Sequence, residues 1–187
     1  MASWLTHAFV AGALGKAQVP HVRTVRFWMW SVLCSVLPDV DVLGLFMGID
    51  YGHALGHRGF MHSLSFSFGV GLVTVMVGFS HVVRGSTLWW ILIFHFTVVT
   101  ASHGVLDAMT NGGLGVAFFA PFDNTRYFLP WTPILVSPIG AEFFGWRGLE
   151  VIASEIFYVW IPILVIASGV AVIRKTLADG NSAELEK

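Results

Sequence analysis

Four long apolar runs set the frame of this chain. They cover 24–45, 60–83, 87–109 and 149–173, each close to the ~20 residues that a helix needs to cross a bilayer. A fifth segment, 4–19, is apolar but rich in Ala and Gly, and its small residues suit tight packing inside a bundle more than exposure to lipid. Between the last two runs, 110–148 mixes Gly, Pro and aromatic residues, a pattern that predicts an interfacial loop with short helical pieces. The pattern therefore predicts an all-α integral membrane bundle of about five membrane segments. It is read as a single membrane-embedded domain over 1–187, with a core at 1–175 and a polar tail at 176–187.

Composition agrees. Of 187 residues, 56% are hydrophobic and 11% charged, and the mean hydropathy is +0.75. A soluble domain needs more surface charge, so lipid is the solvent for much of the chain. The net charge of -1 and the lack of a basic tract give no reason to expect nucleic acid as a partner. The single cysteine, Cys34, excludes an internal disulfide. "MASWLTHAFVAGALG" lacks a basic leader and a small-residue cleavage site and reads as mature protein.

Alternating segments place Lys16, Arg23, Arg26, Arg84, Arg174 and Lys175 on one side of the membrane, against Arg58, Arg126 and Arg147 on the other. The positive-inside bias makes the first side cytoplasmic. The same topology gathers the most hydratable side chains at the opposite, periplasmic end. His7 opens the first segment, and Asp39 and Asp41 ("LPDVD") end the second. His57 and His62 ("GHRGFMHSL") lead into the third, and His103 and Asp107 ("HGVLD") end the fourth.

Carboxylates near lipid are costly unless paired, hydrated or bound to a cation, and imidazole with carboxylate is the usual donor set for zinc and similar divalent ions. His103 and Asp107 stand four apart, on one helix face. Pro38 loosens the helix so that Asp39 and Asp41 can turn inward. Singly, each residue has an ordinary reading: His7 as a packing histidine, Asp39 and Asp41 as a helix cap. Together at one depth, these seven predict a metal cluster at one membrane face, and their number suggests two ions, zinc first, with manganese or magnesium as substitutes. His95, deeper in its span, is expected to hydrogen-bond within the bundle. His53 is expected in a loop near the cluster, and Glu155, inside the last span, either beside the ligands or facing a wet cavity.

These motifs, followed by "SHGVLDAMTNGG" and "APFDNTRYFLPWTPI", resemble the YdjM-type inner-membrane proteins of bacteria, a family regarded as metal-dependent hydrolases. The resemblance runs from His7 to about Pro133. It implies a membrane-embedded hydrolase and implicates His7, Asp39, Asp41, His57, His62, His103 and Asp107. Met61 stands where the family motif carries threonine. The order of an early His, then Asp, His and His-x-x-x-Asp is also similar to that of zinc-dependent phospholipases C, which points to a phosphoester.

The sequence thus leads to a hydrolase of the bacterial inner membrane acting on a membrane lipid through a metal-activated water. Asp39 or Asp41 would be the general base, and Arg58 would hold a phosphate oxygen through its planar fork. Arg126 would assist, or simply snorkel to headgroups. Phe118, Phe119, Tyr127, Phe128 and Trp131 would form an aromatic rim. Ser63 beside His62 is not a nucleophile, because adjacency in sequence is not triad geometry. The rival reading is a metal transporter or sensor, which would need ligands near the midplane.

Overall fold

The computed structural model describes residues 1–19, 22 and 24–185, and of 174–185 the backbone only. Arg23 and the side chains of Arg174 and Lys175, which entered the charge reading, lie outside the described residues. Seven helices follow in order: α1 (Trp4–Gln18), α2 (Val25–Val36), α3 (Val42–Phe46), α4 (Leu64–Gly78), α5 (Thr87–Ala108), α6 (Trp146–Glu155) and α7 (Ile161–Leu185). Among the described residues there is no β-strand, only two isolated bridges. The predicted all-α bundle is what forms.

Among the described residues, three stretches are long and apolar enough to cross a membrane: Val25–Phe46, Thr87–Ala108 and Trp146–Ile173. The run at 60–83 yields a shorter helix, Leu64–Gly78. Its first residues are spent on a tight turn, Phe60–His62, and Ser63 then caps α4 by accepting a hydrogen bond from the Phe66 N–H at 3.1 Å. This cap gives Ser63 an ordinary structural role. Polar tail residues 176–185 continue α7 as helix.

α5 is the central helix, packed by α1, α2 and α4. Its approach to α4 depends on Gly71, where an added Cβ would stand 2.3 Å from Thr97 Oγ1 and 2.8 Å from the Ile93 carbonyl. One apolar core, around Phe27, Val75, Phe79, Leu92, Phe96 and Val99, fills the half of the bundle away from the acidic cluster. Its polar members are partnered locally. His95 Nε2 lies 3.0 Å from Ser31 Oγ and its Nδ1 2.9 Å from the Gln18 amide, as expected of a bundle histidine. A second core, Ala2, Val10, Leu106, Ile134 and Val159, joins α1, α5 and α7 through the returning loop.

Glu155 ties the two ends of the chain together. Fully buried where α6 gives way to a π-turn, it accepts from the N–H and hydroxyl of Ser3 and, at 2.8 Å, from the Thr6 hydroxyl. A carboxylate at the N-terminal turn of α1 satisfies donors that a helix start leaves unpaired. Its service is to hold α1, and with it His7, and not to meet the other acidic residues.

Candidate metal centre

Each ligand-type residue reaches the cluster for a local reason. Pro38 lacks an N–H, so α2 tightens after Val36 into a 3-10 turn, Leu37–Asp41, which turns both aspartates inward. His62 ends its own 3-10 turn. The turn lies against α5 at Gly104, where a Cβ would be 2.9 Å from the His62 carbonyl. The glycine of "HGVLD" is therefore a packing requirement. His103 and Asp107 face inward from α5, and His7 from the first turns of α1, all three fully buried.

Four atoms converge. His103 Nε2 lies 3.2 Å from Asp39 Oδ1, and His62 Nε2 lies 3.8 Å from that oxygen. Asp107 Oδ2 is 3.5 Å from His62 Nε2 and 4.0 Å from His103 Nε2. Ligands about 2.1 Å from a tetrahedral ion stand about 3.4 Å apart, so this spacing suits a small divalent cation. All four atoms are buried, and none has a hydrogen-bond partner. Leaving such groups unpaired is costly. A cation among them would satisfy all four, so the residues fit a metal.

The remaining residues surround this group. His7 stacks flat on His103, with ring centroids 3.7 Å apart and planes at 9°, and its Nε2 is 3.7 Å from Asp107 Oδ1. His103 Nδ1 donates to the Ser35 carbonyl at 2.7 Å, which turns the lone pair of Nε2 to the cluster. Asp41 takes His57 Nδ1 on one oxygen at 2.6 Å. Its other oxygen takes the Arg58 N–H at 3.1 Å and faces His62 Nδ1 at 3.0 Å. Asp41, His57 and His62 are close enough to hold an ion of their own. However, 2.6 Å is a hydrogen-bond length, shorter than the separation of two ligands on one ion. Asp41 is the carboxylate behind His62.

The arginines are arranged differently from the expected phosphate grip. Arg58 is completely buried, in the left-handed region at φ 64. Its Nε is 3.2 Å from Asp107 Oδ2, Nη1 donates to the Gly112 carbonyl at 2.8 Å, and Nη2 donates to Thr110 Oγ1 at 2.9 Å. The guanidinium is thus spent on its own chain and holds Asp107 in place. Arg126 neither reaches the cluster nor snorkels. Its fork donates to the carbonyls of His57 at 2.9 Å, Tyr51 at 2.9 Å and His53 at 3.2 Å, clamping the loop that carries His57. His53 is exposed and accepts the Leu55 N–H within that loop, away from the ligands.

The loop at 110–148 closes over the cluster through the bridges Thr110–Ile134 and Val116–Tyr127. Phe119, Tyr127, Phe128 and Trp131 are exposed on it as an aromatic rim, while Phe118 turns in towards Gly104. A family model described as "YdjM inner membrane protein" matches residues 1–177. The chain belongs to this family. It is also similar to "Inner membrane protein YbcI" of Escherichia coli (strain K12), at 37% identity over 163 residues, covering 87% of this chain and 92% of the relative. No solved structure matches.

In this YdjM-family chain, sequence reasoning passes over Tyr51, Thr110 and the Ser35 carbonyl. Tyr51 stands edge-on to His57, and burial pushes its phenol pKa up, with the nearby positive charge of Arg58 acting against that rise. Nothing in a sequence marks a carbonyl acceptor, and Thr110 finds its place only in the fold, where its hydroxyl donates to the Asp107 carbonyl at 2.8 Å. The geometry separates ligands from supports. His62→Ala, His103→Ala or Asp107→Ala should abolish zinc binding by the purified protein in titration calorimetry. His57→Ala and Arg126→Ala should weaken it by about 10–100-fold, as loss of a group that orients a ligand does. His53→Ala should leave it unchanged; equal losses in all six variants would refute the division.

Proposed function

We propose that this protein is a metal-dependent hydrolase that cleaves a phosphoester of a membrane lipid. The observation that carries the reading is the convergence of buried atoms of Asp39, His62, His103 and Asp107, none of them in a hydrogen bond. Hydrolytic metal sites keep one position for water, held beside three protein ligands. His62, His103 and Asp107 are fully buried, whereas the Asp39 side chain is 14% exposed. The first three would then hold the ion, leaving Asp39, whose Oδ1 lies buried beside them, as the group that could act on a water. Zinc is the leading ion.

One ion, in place of the two suggested by seven ligand types, fits the spacing, since Asp41 and His57 already stand at a hydrogen-bond length. When bound, the ion would supply Lewis-acid polarisation of the phosphoryl oxygen and a water of lowered pKa. The chain's own residues do the rest. Asp39 accepts the water's proton, because both oxygens of Asp41 are committed to His57, His62 and the Arg58 N–H. Asp41 stands 3.0 Å behind His62 Nδ1, and Arg58 fixes Asp107.

A transporter reading has less support, since His95, the histidine deeper in the bundle, has both nitrogens occupied. The test is lipid-product mass spectrometry on metal-replete protein with bacterial phospholipids and isoprenoid phosphates. Wild type should release product. Asp39→Asn should keep its metal yet lose about 10²–10⁴-fold in turnover, the usual worth of a general base. Absence of product from the whole panel would remove the phosphoester assignment.

The cluster is read as lying at the periplasmic side of a multi-pass protein, because Lys16, Arg26 and Arg84 fall at the opposite ends of their segments. In a Cys34→Ala background, an impermeant thiol reagent should label Asn124→Cys but not Ala178→Cys in intact cells. The reverse labelling would invert the orientation.

A further inference from the structure

The cluster is sealed by protein on nearly every side. His7, His57, His62, His103 and Asp107 are buried, and the loop above them contributes the buried Val116, Ala117, Ala120 and Ile134. The exposed part of Asp39 is the exception, and its surroundings are apolar. Val40, Leu43, Phe46 and Met47, which follow it, are all exposed. An opening framed by bare hydrophobic side chains on a membrane-crossing segment faces lipid, not water.

A groove of about 890 Å³ lies along α2, lined by Arg26, Met29, Trp30, Val32, Leu33 and Val36 among others. Its lining comes from α2 alone, so it is an open face of the helix and not an enclosed cavity. Met29, Val32, Val36 and Asp39 follow one another at three- and four-residue spacing, so groove and carboxylate share one stripe of the segment. From Val36 back to Arg26 the helix covers about 15 Å, a length comparable to an acyl chain that fills half of the ~30 Å hydrocarbon core. Apart from Arg26 at its far end, the lining offers no charge.

We propose that this groove holds an acyl chain of the lipid substrate, and that the lipid reaches the metal centre sideways from the bilayer, past Asp39. The chain lies along Met29, Val32 and Val36, which brings the polar ester one helical turn further on, to Asp39. The assignment of that lipid as substrate rests on the hydrolase reading above; the groove's affinity for an acyl chain does not.

The experiment uses the full-length protein in phosphatidylethanolamine–phosphatidylglycerol vesicles that contain a phosphatidylglycerol with a diazirine in one acyl chain. After illumination, peptide mass spectrometry should find label concentrated on Met29, Val32 and Val36 relative to the exposed α7 face at Leu164, Val165 and Ile166. Val32→Trp, a change at a half-exposed position, fills the groove. It should cut the α2 label about tenfold, as displacing two methylenes from their contacts would, while metal content stays the same. Ile166→Trp should change nothing. Preferential α2 labelling without lipid hydrolysis by wild type would uphold the groove and remove the hydrolase reading. Hydrolysis with equal labelling of α2 and α7 would overturn the groove and leave the hydrolase reading standing.

Discussion

Three carboxylates gathered at membrane depth, Asp41 and Asp107 buried and Asp39 mostly so, need positive charge placed among them. Desolvating an isolated carboxylate costs far more than packing returns. Much of the surrounding architecture follows from placing that charge. Helix α5 supplies His103 and Asp107 from one face, the Pro38 turn bends Asp39 inward, and the turn before α4 contributes His62. Helices that would otherwise share only apolar contacts thus meet at one ionic point.

Much of the polar chemistry near this point is spent on orientation. Arg58 adopts a left-handed backbone conformation and buries its whole side chain to reach Asp107, Thr110 and Gly112. Arg126 lashes the His57 loop by its carbonyls, and Glu155 holds the start of α1. Such groups lower the reorganisation needed when a cation binds, which is the advantage of a preorganised site. Lipid covers the outside of the bundle, so the interior can be polar at one end and apolar at the other.

How much of this was legible in the sequence depended on the range of the interaction. The runs at 24–45, 87–109 and 149–173 became Val25–Phe46, Thr87–Ala108 and Trp146–Ile173, because length and apolarity alone decide a span. The run at 60–83 was overestimated: "GHRGFMHSL" holds a turn and a helix cap, which hydropathy cannot separate from helix. Gathering His7, Asp39, Asp41, His57, His62, His103 and Asp107 needed only alternation of direction and the i, i+4 rule. Their separate duties were not readable. Which oxygen of Asp41 meets which ring, and whether Arg58 faces outward or inward, are settled by loop contacts tens of residues apart and by carbonyls that every residue carries.

The central claim is that His62, His103 and Asp107 hold one divalent ion beside Asp39. Elemental analysis of gently purified, chelator-free protein tests it most directly. About one equivalent of a transition metal is expected in wild type, unchanged in Asp39→Asn and lost in His103→Ala, as for a site whose ligands bind jointly. Less than about half an equivalent in wild type, or equal metal in wild type and His103→Ala, would contradict the account.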